Sequence, residues 1–586
     1  MVKERAKKYG AREVYRFKDK SNNQYKSYSW NELATSMDQV SKSLISMGYG
    51  TESKIGIYSN NRLEWSITDY GILAIRGVVV PFFGTATKEQ VKYIVDETKM
   101  ELMFVGDQEQ LEKALWVLDK SDSLKSIVSF NNEINNEDSH CISWDSFIKL
   151  GSNNSLDKKL IQYYEDAKPE DLATILYTSG TTGEPKGVML DHDNFMYLFT
   201  IHDERLDVSD QDVSMSFLPL SHIFERAWSF YVLYSGAINV FLENPRDVIE
   251  ELPKANPTIM CTVPRFFEKT HEGILTEYDK WPSTKKKIFD WSINIGLQCA
   301  AFKSKNKNIP AILKLKNSIA DKLVLKKLRS IFGKNIRMIP CSGAAIRVDL
   351  LKFFHATGLF VNHGYGATET TATVSCFESD KYEFGSVGTI MPGLDVKISE
   401  EGEILIKGKT VFKGYYNKPD ETNAVLKDGW YYTGDEGHIS EDGNLVMTDR
   451  IKDLFKTSVG KYVSPQKIEL LLGQDPFIEQ VISIGDDRKY VTALIVPVFD
   501  SLKAHANMLG LKHTTDSDLI SLPEIKDLIE KRIEKIQLEL APFEKVVKFT
   551  LLPEPFSIEN NAMTSTLKFR RKVIMENYKD LIEEMY

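Results

Sequence analysis

The first hundred residues alternate between two hydrophobic periods, and that alternation restricts the fold more than any other feature of the chain. Ser29-Trp30-Asn31-Glu32 forms a capping box that opens a helix with Leu33, Val40 and Leu44 on one face, and Gly48 ends it. Residues 54–59 then read as a strand, 62–76 as a helix, 78–82 as a strand, 88–97 as a helix and 101–105 as a strand. This βαβαβ order predicts an α/β fold built on a parallel, doubly wound sheet. In such sheets ligands sit beyond the carboxyl ends of the strands.

Residues 177–187 read YTSGTTGEPKG and lie between two short apolar runs, so a strand–loop–strand unit is expected. Gly180, Gly183 and Gly187 let backbone approach a ligand closely. Thr178, Ser179, Thr181 and Thr182 add hydroxyl donors, Lys186 adds a mobile positive charge, and Pro185 stiffens the turn. A loop that turns many donors toward one point suits a polyphosphate. It is not a Walker A loop, because Gly187 follows Lys186 where that motif needs Ser or Thr. The magnesium-binding hydroxyl of that motif is therefore missing.

A chain of 586 residues is too long for one core, so at least two domains are expected. The net charge of −9 argues against nucleic acid as a partner. Cys141, Cys261, Cys299, Cys341 and Cys376 lie far apart without a CxxC pair, which indicates neither a zinc site nor a disulfide framework. Reduced thiols in a cytoplasmic protein are the simple reading. The N-terminal segment is charged and lacks the apolar core of a secretory signal. No apolar run is long enough to span a membrane.

Residues 130–158 are rich in Asn, Asp and Ser and read as a loop. Residues 280–330 hold thirteen Lys or Arg against two acids, Asp290 and Asp321. Within them Ile288, Trp291, Ile295 and Phe302, and again Ile312, Leu315, Ile319 and Leu323, recur at roughly helical spacing. These are amphipathic helices with basic faces. They form either an inserted pair packed on its own domain or a docking surface for an anionic membrane, which would make the protein peripheral on that membrane. Residues 382–450 read as a small β subdomain of glycine turns and short strands. Beyond Asp453 the pattern becomes mixed α+β, with strands at 480–485 and 490–496 and a helix at 523–540. A domain boundary is expected near 450–453.

Further constellations follow along the chain. In NHGYGATETTA (362–372), Gly364 and Gly366 bracket Tyr365, which offers an aromatic face to a planar ligand. Thr368 and Glu369 come next. A carboxylate near phosphates calls for a bridging cation, so Glu369 marks either a Mg²⁺ site or an ordinary exposed turn. CSGAAI (341–346) is a small-residue turn that sets Gly343 and Ala344 against a flat ring. In GWYYTGDEG (429–437), Asp435 either accepts hydrogen bonds from a vicinal diol or caps its own turn. Asp449-Arg450-Ile451-Lys452-Asp453 carries four charges at the expected boundary, and Lys568 lies in the basic MTSTLKFRRK. His222, in LPLSHIFER, is a pocket residue or simply packed. With no GxSxG and no metal-spaced histidines, the chemistry reads as positioning and charge stabilisation on phosphates.

Taken in order, YTSGTTGEPKG, SGAA, GYGATE, YYTGD, DRIKD and the late Lys568 resemble the adenylate-forming superfamily of acyl-CoA synthetases, adenylation domains and luciferases. The resemblance runs from residue 177 to 568. LPLSHIFER, DRIKDLFKTSVGKYVSP, TSTLKFRRK and the basic insertion look most like the long-chain fatty acyl-CoA synthetase branch. It implies a large N-terminal domain (1–450) of doubly wound sheets with a small β subdomain, and a smaller mobile α+β C-terminal lid (451–586). It also implies adenylation of a fatty acid by ATP with Mg²⁺, then thioester formation with coenzyme A.

Carried over by residue, Thr178, Ser179, Gly180, Thr181, Thr182 and Lys186 would hold the β- and γ-phosphates. Gly343, Ala344, Gly364 and Tyr365 would frame adenine. Thr368 would meet the α-phosphate, and Glu369 would bind Mg²⁺. Asp435 and Arg450 would hold ribose. Lys568 would neutralise charge at the α-phosphate, Lys452 would be the hinge of domain rotation, and His222 would separate the acyl and nucleotide pockets.

The chain departs from the pattern in places. Asp191-His192-Asp193-Asn194 replaces a more usual Ser/Thr-His-x-Asn, and the stretch 458–462 is one residue longer than in aryl-CoA ligases. No N-terminal anchor helix is expected. The alternatives are a ligase for another carboxylate, such as an aryl acid or an amino acid, a fatty acyl-AMP ligase without CoA transfer, and a non-catalytic lipid-binding protein on this fold. Oligomeric state stays open, with a homodimer among the alternatives.

Overall fold

The computed structural model describes residues 1–586 except 20–21, 133–139, 179–184, 451–454, 459–460, 558–559 and 564–568, with backbone alone at Asp449, Arg450, Tyr462 and Glu539. The expected βαβαβ unit forms the centre of a seven-stranded sheet. Across that sheet run Cys141–Ser143, Ser126–Ser129, Leu102–Val105, Lys54–Tyr58, Val78–Phe82, Leu172–Thr178 and Lys186–Asp191. All neighbours are parallel except the last pair, which is an antiparallel hairpin.

Because side chains alternate along a strand, these apolar runs feed two cores. Ile55, Ile57 and Phe104 pack with the helices Trp30–Ser46 and Leu63–Ala74. Tyr58, Met103 and Val105 pack with Lys88–Thr98 and Gln108–Lys120. The predicted capping box at Ser29 and Glu32 is present, and Gly48 takes a φ of 93° just past the helix end.

A second α/β sheet combines the parallel strands Val213–Ser216 and Ile238–Phe241 with Glu13–Lys18 and Tyr25–Ser29. It continues through Ile259, which bridges both Ser214 and Met338, into Met338–Cys341, Phe360–Tyr365, Ser375–Cys376 and Thr389–Ile390. The SGAA and GYGATE strings therefore begin at the carboxyl ends of two adjacent parallel strands. The expected small β subdomain is a five-stranded antiparallel sheet between Asp395 and Arg450. From Phe455 onward the chain buries its apolar side chains in two clusters of its own, around the three-stranded sheet Ile478–Ile484, Val491–Pro497 and Val546–Leu551. The fold is thus a large N-terminal α/β domain with a smaller C-terminal one.

One expectation needs correction and another is sharpened. Residues 130–158 are not simply a loop: they include Cys141–Ser143, the helix Trp144–Leu150 capped by Ser143, and the start of Asp157–Asp166. Phe130, Trp144 and Phe147 pack around Phe104 with ring centroids 5.1–6.4 Å away. Three aromatic anchors thus outweigh a polar composition. In the basic segment the expected helices form at Ser283–Lys303 and Ala311–Ala320, with a π-turn at Asp321–Leu325. However, the row Ile312, Leu315, Ile319 and Leu323 faces outward, while Leu313, Ala320 and Leu325 are buried.

Candidate active site

The carboxyl ends of both α/β sheets open onto one cleft of about 2000 Å³. Phe83 and Thr178 reach it from the first sheet, Ser342 and Gly366 from the second. This is the position that doubly wound topology assigns to a ligand. The small β sheet adds Asp435, and residues of the C-terminal domain, including Lys467 and Arg571, complete the wall. Every expected site residue with a described side chain lines this cleft: Thr178, Lys186, His222, Gly343, Ala344, Gly364, Tyr365, Thr368, Glu369 and Asp435. Ser179, Gly180, Thr181, Thr182, Lys452 and Lys568 lie outside the described residues, and Arg450 is described by its backbone alone.

The two stems of the glycine-rich loop are held by the edge hairpin. Thr178 pairs with Lys186 across it, and the Thr178 hydroxyl donates to the Lys186 carbonyl at 3.4 Å. Beyond the hairpin, Asp191 caps the helix His192–Arg205 in a reciprocal box with Asn194. The departure at Asp191 is thus conservative, since Asp caps a helix as well as Ser or Thr does. The Lys186 ammonium lies 5.1 Å from the centroid of the Tyr415 ring. The Tyr415 hydroxyl donates to Glu369 Oε1 at 2.8 Å. Burial, then the Glu369 charge, raises the Tyr415 pKa, so the phenol keeps its proton and stays a donor.

Glu369 sits in a turn with little conformational freedom. Thr371 and Ala372, neither of them glycine, have φ of 52° and 80°. The Thr371 hydroxyl bonds the Thr410 carbonyl at 2.6 Å, and the Glu369 carbonyl accepts from Phe412 N–H at 2.8 Å. A Cβ on Gly366 would fall 1.3 Å from the Ala372 carbonyl oxygen. The glycine is required by close approach of backbone to backbone. Among the described residues no group of three or more His, Cys, Asp or Glu could hold a metal. A single carboxylate at Glu369 still fits Mg²⁺, which takes one or two carboxylates and fills its octahedron with phosphate oxygens and water.

Also lining the cleft, the buried Tyr365 hydroxyl donates to Asp435 Oδ2 at 2.5 Å. The ring and the carboxylate therefore fix each other. Asp435 stands directly across the antiparallel ladder from Arg450, which puts the two expected ribose contacts side by side on the backbone. Gly343, at φ 90°, carries the SGAA turn past the end of its strand.

His222 caps the helix Ile223–Ser235, and its Nδ1 accepts from Phe224 N–H at 3.2 Å. That bond leaves Nε2 as the protonated nitrogen of the neutral ring. Behind it Arg226 is fully buried, donating to Thr174 at 2.6 Å and pairing with Asp69. Glu225 is also fully buried. It accepts from Leu218 N–H and the Ser229 hydroxyl, both at 3.2 Å, and from the Cys261 thiol at 3.4 Å, and burial pushes its pKa up to about 7. A small cavity behind Phe224, Trp228 and Tyr365 is lined by His202. Burial lowers the His202 pKa to about 3, and neither ring nitrogen has a hydrogen-bond partner among the described residues.

Sequence reasoning missed Tyr415, Glu225 and Arg226. Tyr415 sits in an unremarked Gly-Tyr-Tyr, though Gly414 at φ 131° marks a turn. Glu225 and Arg226 lie in the quoted LPLSHIFER, and their position among apolar residues was a signal of burial.

Residues 2–416 match the AMP-binding enzyme family, and 452–586 match the AMP-binding enzyme C-terminal domain. The chain belongs to the AMP-binding enzyme family. The adenylate-forming resemblance carried by the five sequence strings and Lys568 is thereby met. Similar proteins include fatty acyl-CoA synthetase B of Dictyostelium discoideum, 30% identical over 99% of this chain and 89% of that protein. Long-chain-fatty-acid–CoA ligase 5 of Rattus norvegicus is 30% identical over 97% of this chain and 85% of its own. Among solved structures, the anthranilate CoA ligase AuaEII in complex with anthranoyl-AMP superposes with a TM-score of 0.74 at 16% identity, covering 100% of this chain and 97% of that one. The A domain of the carboxylic acid reductase from Segniliparus rugosus gives 0.74 at 19%, covering 100% and 93%. At such identities these structures speak to the fold of this AMP-binding enzyme.

Proposed function

We propose that this enzyme is a long-chain fatty acid–CoA ligase that works through an acyl-AMP intermediate. The supporting observation is that Lys186, Glu369 and Asp435, from three distant stretches of chain, meet in one cleft. The acyl class is supported by relatives named long-chain-fatty-acid–CoA ligase 5 and fatty acyl-CoA synthetase B, matched over 85 and 89% of their own length.

In the first step a carboxylate oxygen attacks the α-phosphorus of ATP. An O–P bond forms, the bond to the bridging oxygen breaks, and pyrophosphate leaves. In the second, the coenzyme A thiolate attacks the acyl carbon. A C–S bond forms, the C–O bond to AMP breaks, and the thiol proton passes to solvent.

The loop from Thr178 to Lys186 grips the departing pyrophosphate. Gly343, Ala344, Gly364 and Tyr365 frame adenine, Asp435 and Arg450 hold ribose, and Thr368 contacts the α-phosphate. When bound at Glu369, Mg²⁺ would supply charge neutralisation on the phosphates. Lys568 stabilises charge at the α-phosphate in the first step alone. Rotation of residues 451–586 about Lys452 then withdraws it before the second step. His222 would separate the acyl and nucleotide pockets.

Incubation with ATP and a panel of fatty, aryl and amino acids, with and without CoA, tests the reading through pyrophosphate release and product mass. Long-chain acyl-CoA and AMP are expected. Preferential turnover of an aryl or amino acid, or acyl-AMP accumulating despite CoA, would replace it with the corresponding alternative. Absence of pyrophosphate with every acid would favour the non-catalytic one.

A further inference from the structure

The basic helical segment carries two apolar rows, and the fold uses one of them. Along Ala311–Ala320 and the π-turn Asp321–Leu325, the residues Leu313, Ala320 and Leu325 pack with Ile295 and Cys299 of Ser283–Lys303. The other row, Ile312, Leu315, Ile319 and Leu323, is 73, 65, 47 and 49% exposed. Single exposed apolar residues are ordinary, but a row at successive helical turns marks an interaction face. Lys314, Lys316, Lys322, Lys326 and Lys327 are all exposed on the same stretch. Its sole acid, Asp321, is taken by Arg329 at 2.6 Å.

An apolar ridge among lysines is the pattern of a helix lying in a lipid–water interface. A symmetric pairing of two copies across this face would set the lysines of each against those of the other. An anionic bilayer instead answers both features, with headgroup charge for the lysines and acyl boundary for the ridge. The helix Pro264–Asp279 ties this unit to the cleft. Its Leu275 and Thr276 line the cleft, while Tyr278 packs on Trp281 and Phe289 with centroids 5.9 and 5.3 Å apart.

We propose that the face bearing Ile312, Leu315, Ile319 and Leu323 docks on an anionic lipid bilayer, placing the cleft beside the phase in which long-chain acids dissolve. The second clause rests on the function proposed above; the docking surface does not.

Co-sedimentation with vesicles of phosphatidylcholine, and of phosphatidylcholine and phosphatidylglycerol in equal parts, tests it. The parent should bind the mixed vesicles far better than the neutral ones, and less as salt rises. Replacing Lys316, Lys322 and Lys326 together by Gln should weaken binding roughly a hundredfold. Ile312→Ser with Leu315→Ser should also weaken it severalfold or more. All these positions are exposed, so thermal melting should match the parent. Equal binding to both vesicles, equal binding by parent and variants, or no binding would overturn the proposal. So would a drop in solution mass of the Ser variant without loss of vesicle binding, since the face would then join two copies. The vesicle result needs no turnover, so it stands apart from the ligase assay.

Discussion

The Tyr415 hydroxyl donates to Glu369 Oε1 at 2.8 Å while its ring faces the Lys186 ammonium at 5.1 Å. One side chain thus holds both the carboxylate proposed for magnesium and the lysine proposed for the leaving phosphates. Without a fixed donor, Glu369 has rotamers that turn it away from the cleft. Tyr415→Phe keeps the ring and removes the hydroxyl. A hydrogen bond to a charged group contributes about 1.5–3 kcal/mol, so adenylation should fall about tenfold or more. The magnesium concentration for half-maximal pyrophosphate release should rise. An unchanged magnesium titration would refute the positioning role.

The Gly366 position allows no side chain. Gly366→Ala should lower stability by about 3 kcal/mol or more, because its Cβ meets backbone that cannot yield. Gly273→Ala, in the helix Pro264–Asp279 with nothing among the described residues within 4 Å of the new Cβ, should be neutral or stabilising by up to about 1 kcal/mol. Thermal melting of the two variants checks the contrast. Similar shifts would mean that the turn relaxes.

Buried Glu225 makes stability depend on pH. Its folded pKa of about 7 lies above the ordinary 4.5, so the native state binds the proton more tightly than the unfolded chain does. The resulting stabilisation is complete below about pH 4.5 and is lost as pH rises to about 7, a span of about 3 kcal/mol. Glu225→Gln, isosteric with the protonated acid, should flatten the profile and be the more stable form at pH 8. Urea unfolding at pH 5 and pH 8 measures this; parallel profiles for parent and variant would contradict it.

Much of the fold was legible because its signals are local. The helix caps at Ser29 and the strand at Val78–Phe82 stand where periodicity and turn chemistry put them. The candidate site was legible through its glycine turns, since Gly366 and Gly343 answer to close approach and positive φ. What escaped depends on distant pairings. Tyr415 acquires meaning only when 46 residues of chain fold it back onto Glu369. The Glu225 and Arg226 charges look exposed until the helix that carries them is buried. On Ala311–Ala320 periodicity found the apolar row but could not say which row faces the core, because Leu313 and Ala320 form a second, shorter one.

In the proposed cycle one cleft forms acyl-AMP and then converts it to a thioester, with Lys568 serving the first step alone. The direct measurement compares the parent with Lys568→Ala in the two half-reactions: fatty-acid-dependent ATP–pyrophosphate exchange, and acyl-CoA formation from supplied acyl-AMP. Exchange should fall at least a hundredfold while thioester formation from acyl-AMP stays within about twofold of the parent. Equal loss of both half-reactions, or exchange left intact, would contradict it.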